Sequence, residues 1–317
     1  MIEITLTAND VNRRFDRFLL AHLSRAPKSL IHKLLRKKRI KLNGARAMGN
    51  EITALGDKVT LYLSQETYEN FIDSQETKLL KNWGSIDIIY EDDHVLLVNK
   101  PAGLLTHASS PNPQDTLLDR VAYYIQSTDA AACNRLDRNT SGLVVFGKNV
   151  PALQALNSAF AGRKVDKTYL TLVHGKLEGQ AGLKGYIYKD ESANQSFILD
   201  VPGNDAQYVH TEYVSCKACE DFSLLRVKIH TGRSHQIRAQ FAALGHPLIG
   251  DVKYGGKAFK RRRGQMLHCL SIGFLKVKGP LDYLSGREWH APVPDEFNKV
   301  VFLTSSKTIP VFTPKDV

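Results

Sequence analysis

"NRLDRNTSG" (residues 134–142) runs straight into the apolar stretch "LVVFG" (143–147). The apolar run reads as a buried strand. The polar run in front of it holds Asp137 between Arg135 and Arg138. Neighbouring cations stabilise an ionised carboxylate, which is a poor general acid but serves as a nucleophile or as a base for a very local proton transfer. The residues leave two readings open. Asp137 is such a group, or it is a structural aspartate capping a turn before the strand.

Outward from this stretch, strands and helices mix without a regular βαβ rhythm. "HVLLVNKPAG" (94–103) reads as a buried strand ending in a Pro-Gly turn, and "KTYLTLVHG" (167–175) as another strand. "FSLLRVKIHTG" (222–232) alternates, with Leu225, Val227 and Ile229 on one face and Arg226, Lys228 and His230 on the other. Leu117, Leu118, Val121 and Ile125 make a helix face begun near Asp115, and Pro151 opens a helix carrying Leu153, Leu156 and Phe160. The pattern predicts an α+β fold with a mixed sheet, not a doubly wound parallel one. There is no Gly-x-Gly-x-x-Gly and no phosphate loop.

"HTGRSHQIRAQFAALGHPLIGD" (230–251) is the second unusual run. Gly232 permits a tight turn out of a strand, and His235 and Gln236 open a helix that Gly245 stops. Arg238 lies one turn in, beside the apolar Ile237. A half-buried arginine requires a carboxylate, and Asp137 is the candidate partner. A Ser234–His235 nucleophilic pair is the rival reading, but adjacent side chains rarely face each other and no serine elbow is present. Tyr169, in the strand at 167–175, is read either as a core residue with a satisfied hydroxyl or as a platform for a base.

The net charge of +11 is concentrated. Residues 11–63 hold 13 Lys or Arg against 3 Asp or Glu, which leaves the rest of the chain nearly neutral. Localised positive charge is the footprint of a phosphate-backbone binder, with a basic solvated surface as the bland alternative. Val11, Phe15, Phe18, Leu19 and Leu23 recur at helical spacing, and after Pro27 so do Leu30, Ile31, Leu34 and Leu35. Lys33, Arg36, Lys37, Lys38, Arg39 and Lys41 lie opposite or at the exit. Asn43-Gly44 then marks a turn between short strands. This basic module is expected to span 1–63. A polar linker at 64–82 and a second domain at 83–317 are expected to follow.

The remaining features are quieter. No apolar run approaches a membrane span, and the first residues lack the pattern of a signal peptide, so a soluble, cytoplasmic protein is expected. Four cysteines do not make a disulfide framework, and Cys216–Cys219 lacks the second ligand pair of a structural zinc site, so no metal is expected. "KAFKRRRG" (257–264) is a basic loop that touches phosphates or is simply solvated.

Four segments together carry a family resemblance. "VNKPAGLLTH" (98–107), "NRLDRNTSG", "DKTYLTLVHG" (166–175) and "TGRSHQIRAQFAALGHPLIGD" (231–251) resemble the motifs of the RluA-type pseudouridine synthases, over residues 86–300. "APKSLIHKLLRKKRIKLNG" (26–44) resembles the alpha-L RNA-binding motif, a pairing most similar to the RluC-like branch. The resemblance implies a mixed, mostly antiparallel sheet with a central cleft. It also implies isomerisation of uridine to pseudouridine in RNA, most of all large-subunit ribosomal RNA, with no cofactor. It makes Asp137 the essential carboxylate, Arg238 its ion-pair partner and Tyr169 the platform for the target base. It makes Arg135 the side chain that fills the gap left by a flipped uridine. Arg135 and Arg138, with Arg36, Lys37, Lys38, Arg39 and Lys41, are the expected RNA contacts, and a monomer is expected. One position departs from the family: Asn134 stands where a histidine is usual, so a titrating side chain there has no part in this chain's chemistry. The alternatives are an RNA-binding ribosome-assembly factor without activity, and an enzyme of the same family acting on transfer RNA.

Overall fold

The computed structural model describes residues 1–6, 10, 13–72, 83–108, 115–127, 129–203, 205–258 and 264–297. The chain divides into two compact units, Met1–Ser85 with His107–Ala130, and Ile86–Thr106 with Ala131–Val317.

The first unit is built around a small antiparallel sheet. Its strands are β1 (Ile2–Thr5), β2 (Ile40–Leu42), β3 (Ala45–Arg46) and β4 (Lys58–Leu61), in the order β1-β4-β2-β3. Helices α1 (Phe15–His22) and α2 (Lys28–Arg36) bury Phe15, Phe18, Leu19, Ile31 and Leu35 with Ile40, Val59 and Leu61. Val11, expected on the first helix, lies outside the described residues.

The expected linker at 64–82 needs correcting over its first part. Gln65–Phe71 is a helix (α3), capped by Ser64 Oγ accepting from Thr67 N at 3.2 Å. Tyr68, Phe71 and Ile72 pack against the core of the first unit, and Tyr68 Oη lies 2.8 Å from His22 Nε2. Three apolar residues at i, i+3 and i+4 suffice to dock a short helix, and the acidic and amide residues around them masked that face in the sequence. Residues 73–82 lie outside the described residues. The segment His107–Ala130, expected within the second domain, clusters with the first unit. It includes α4 (Leu117–Ile125), capped by Thr116 Oγ1, which accepts from Asp119 N at 3.2 Å.

The second unit is an 11-stranded sheet. It comprises β5 (Ile88–Glu91), β6 (Val95–Lys100), β7 (Ala131–Ala132), β8 (Ser141–Gly147), β9 (Val165–His174), β10 (Gln180–Asp190), β11 (Gln195–Leu199), β12 (Gln207–Ala218), β13 (Phe222–Ile229), β14 (Leu267–Phe274) and β15 (Glu288–His290). The main path is β11-β10-β12-β13-β9-β14-β8-β6-β5, with β15 on β14 and β7 on β8. Every named pair is antiparallel except β14 with β8. The sheet is thus mixed and mostly antiparallel, as expected. Helix α5 (Val150–Ala161), capped by Asn149, buries Ala152, Leu156 and Ala159. Helix α6 (Gln236–Ala243) is buried along nearly its whole length, Arg238 and two glutamines included.

The parallel β8–β14 seam joins the two halves of the sheet, and small residues make it close. Gly142 has φ +108°, and a Cβ there would meet the Cys269 carbonyl oxygen at 2.2 Å, so only glycine fits. Beside it, Ser141 Oγ lies 2.9 Å from His268 Nδ1. Burial pushes the His268 imidazole down to about 4. The folded protein therefore holds His268 neutral, while the unfolded chain binds its proton near the ordinary histidine pKa of about 6.5. The associated stability is complete above pH 6.5 and is lost as pH falls toward 4. Urea unfolding at pH 7.5 and pH 4.5 is expected to show His268→Gln losing less stability on acidification than the parent, by an amount on the order of 3 kcal/mol.

Candidate active site

Asp137 lies in the loop between β7 and β8, and the chain on either side of it is tied down. Leu136 N donates to Thr106 Oγ1 at 3.3 Å, and Thr106 Oγ1 donates back to Leu136 O at 3.0 Å. Arg138 O accepts from Gly103 N at 2.8 Å and from Lys100 Nζ at 3.1 Å. Lys100 is fully buried at the end of β6, and its Nζ also donates to Pro101 O at 2.9 Å and Leu104 O at 2.8 Å. Burial pushes its pKa down to about 7, against the pull of Asp137. The Pro-Gly turn after β6 and the Asp137 loop are thus sutured through one ammonium group.

Helix α6 brings the cation. Its N-cap is His235, whose φ of 56° is left-handed, so the chain turns sharply out of β13 into the helix. Arg238 Nη1 donates to Asp137 Oδ2 at 2.8 Å. The other edge of the same guanidinium is bidentate on Asp251, with Nε to Oδ2 at 2.6 Å and Nη2 to Oδ1 at 2.8 Å. Its side chain is 9% exposed and that of Asp251 2%, while that of Asp137 is 28% exposed. Burial works against the Arg238 charge, but its bonds to Asp251 and Asp137 outweigh it and raise its pKa. The guanidinium also lies 4.9 Å from the Tyr254 ring centroid. The Tyr254 hydroxyl is 2.8 Å from His235 Nδ1 and accepts from Ser196 N at 2.8 Å. His235 Nε2 comes within 3.8 Å of Asp137 Oδ2. Burial pushes this imidazole below its usual pKa, against the pull of Asp137.

These groups open onto a cavity of about 540 Å³, lined by Arg135, Asp137, Arg163, Lys167, Tyr169 and Arg233 among others. Asp137 is the one carboxylate among the described residues that line it, against four Lys or Arg. Tyr169, on β9, is buried in its wall, and burial holds the phenol well above its ordinary pKa. Cys133 also lines the cavity, but burial pushes its thiol up to about 12, which rules out a resting thiolate nucleophile. The arrangement offers one anchored carboxylate in a cationic pocket, suited to a sugar attached to phosphates.

Asp137, Arg135, Tyr169 and Arg238 are therefore brought together. Arg135 is exposed, and its Nη2 donates to Ser234 Oγ at 3.3 Å. Arg138 is turned away and donates to Gly103 O at 3.0 Å. The cation in contact with Asp137 is thus neither sequence neighbour but Arg238, 101 residues on. Asn134 donates to Leu143 O at 3.1 Å and accepts from Val145 N at 2.8 Å, which makes it a clamp on β8. In the first unit, Arg36, Lys37, Lys38 and Arg39 are exposed around the end of α2, and Lys41 Nζ lies 5.4 Å from the Tyr62 ring centroid. Sequence reasoning missed Lys100, Asp251 and Tyr254. Lys100 and Asp251 lie inside the family-like segments at 98–107 and 231–251, and an acid shortly after a buried arginine was the available signal.

Three comparisons bear on this arrangement. A family model described as RNA pseudouridylate synthase matches residues 94–243. The chain is 34% identical over 254 residues to an uncharacterized RNA pseudouridine synthase, YhcT, of Bacillus subtilis, covering 78% of this chain and 80% of that one. It is 32% identical over 310 residues to the ribosomal large subunit pseudouridine synthase C of Rickettsia bellii, covering 93% and 99%. Among solved structures, human RNA pseudouridylate synthase domain containing 1 is similar in fold, with a TM-score of 0.52 and 23% identity over 72% of this chain and 99% of that one.

Asp251→Asn removes one of the two charges that hold Arg238. It is expected to cost about 3–5 kcal/mol in chemical denaturation, the range for leaving a buried charge half-paired. Asp137→Asn, at the exposed end of the same chain of charges, is expected to cost less than half of that.

Proposed function

Because the chain belongs to the RNA pseudouridine synthase family, we propose that it isomerises uridines of large-subunit ribosomal RNA, with Asp137 as the essential carboxylate. The observation that carries the assignment is a carboxylate that is alone among the described residues of a cationic cavity, fixed by a buried arginine that is itself fixed from behind. A uridine stacked in RNA must leave the stack before its glycosidic bond is accessible. Arg135, exposed at the cavity edge, fills the place it leaves. Tyr169 underlies the everted base. Arg163, Lys167 and Arg233 meet the flanking phosphates.

Asp137 acts on the ribose. Its carboxylate attacks C1′, or takes the C2′ proton; both courses break the bond from C1′ to N1 and release the uracil as an anion held in the pocket. The base turns and bonds to C1′ through C5 as the Asp137 ester is displaced from C1′, or as Asp137 returns its proton to C2′, and the C5 proton passes to N1 in the balance of the reaction. Glycoside hydrolysis uses a second carboxylate to protonate a departing group. Here the leaving group is recaptured, which accords with the single acid among the described residues that line the cavity.

The first unit supplies affinity. Its exposed Arg36, Lys37, Lys38 and Arg39, with Lys41, are placed to meet phosphates, and tethering raises the local concentration of substrate at the catalytic unit. Relatives named as ribosomal large subunit synthases C and D align over most of the chain, which favours ribosomal over transfer RNA. A cytoplasmic monomer that carries its own docking module suits this role.

Two measurements test the proposal. Unmodified large-subunit RNA incubated with the protein is expected to gain pseudouridines detected as carbodiimide adducts. Asp137→Asn should lower the rate by at least ~1,000-fold, and equal product from the variant would refute the catalytic assignment. Separately, replacing Arg36, Lys37 and Arg39 with alanine should reduce the slope of log affinity against log salt by roughly two to three, at ~0.7–0.9 for each phosphate no longer neutralised. An unchanged slope would mean that this face does not touch RNA.

A further inference from the structure

Outside the charge network, two strands bring together three metal-binding side chains. His210 and Glu212 are two apart on β12, so both project from the same face of the sheet. His230 follows β13, and its backbone N donates to His210 O at 3.0 Å, which sets the two histidines opposite each other. Their rings stack, with centroids 4.3 Å apart and planes 17° from parallel. Glu212 reaches both: Oε1 lies 3.6 Å from His210 Nε2, and Oε2 lies 3.2 Å from His230 Nε2. One donor atom from each residue falls within 4.8 Å of the others. His230 Nε2 is buried and makes no hydrogen bond of acceptable geometry, although it faces the carboxylate.

From this geometry we propose that His210, Glu212 and His230 form a binding site for a zinc-class divalent ion. A tetrahedral zinc with bonds of about 2.0–2.1 Å sets its ligand atoms roughly 3.3 Å apart. The two nitrogen-to-carboxylate separations, each to a different oxygen of Glu212, lie on either side of that value. Two imidazoles and one carboxylate select zinc, nickel or copper over magnesium and calcium, which take oxygen. Lys228, the cross-strand partner of Glu212, is turned to Asp166 at 2.7 Å and leaves the carboxylate available. The Cys216–Cys219 pair takes no part in the grouping. A bound ion would pin β12 to the end of β13, immediately before the loop that carries Arg233, Ser234 and His235. It would also sit on the cavity wall, to which His230 contributes. The site stands independently of the substrate assigned above.

The test is calorimetric titration of chelator-stripped full-length protein with zinc, together with electron paramagnetic resonance of its copper(II) form. One ion per chain at micromolar or tighter affinity is expected, with two nitrogen donors in the copper spectrum. His210→Asn and His230→Gln should each weaken zinc by about tenfold or more, while Cys216→Ser leaves it unchanged. The copper spectrum of the unaltered chain decides the case if either histidine variant fails to fold. No binding, binding that survives both histidine changes, loss in Cys216→Ser, or a copper spectrum without two nitrogens would each overturn the proposal.

Discussion

The bond from Arg238 to Asp137 organises the second unit. A guanidinium this deeply buried requires compensation on more than one edge, and Asp251 supplies it from behind while Asp137 completes it from the cavity side. The consequence runs outward. To bring Asp137 to the arginine, the loop before β8 is tied to Lys100 and Thr106. To bring the arginine to Asp137, α6 leaves β13 through a left-handed residue and buries glutamines as well as apolar side chains. Those glutamines are satisfied: Gln236 Oε1 accepts from Thr231 and Arg233, its Nε2 donates to Thr211 Oγ1, and Gln240 donates to Leu183 O. A helix with such polar inward groups is held in place by direction as much as by burial, which is what a fixed carboxylate requires.

Much of this was legible along the chain and some was not. The strands at 143–147, 167–175 and 222–229 followed from apolar runs and alternation, and the helix at 236–243 from its stop at Gly245. Pairing Asp137 with Arg238 followed from the cost of a half-buried charge. What failed was anything set by register or direction. Arg138 was read as a neighbour of the carboxylate, yet its side chain folds back on Gly103, because adjacency in an extended loop does not decide where a side chain points. Asp251 lies in a turn whose approach to α6 is a tertiary fact. Tyr68 and Phe71 were lost in an acidic stretch because two or three anchors are too few to raise a periodic signal. His230 was placed on the polar face of its strand, but only the β12–β13 register sets His210 opposite it and Glu212 beside both.

The two units divide the physical work. The first concentrates cations on an exposed surface around the end of α2, where they act over a Debye length and cost little to maintain. The second places its cations around a cavity with one acid among its described lining residues. In the proposed function the former would supply reach and affinity without sequence preference. The latter would supply a fixed charge at one atom, where displacement by an ångström is expensive for the proposed chemistry.

The most direct test is a crystal structure of the full chain with an RNA oligonucleotide carrying 5-fluorouridine at a modified position. The account predicts the target nucleotide everted into the cavity and its base on Tyr169. It also predicts the Asp137 carboxylate within about 3.5 Å of ribose C1′ or C2′, with Arg238 still bridging Asp137 and Asp251. A nucleotide bound with its ribose remote from Asp137, or the Arg238 bridge broken in the complex, would contradict it.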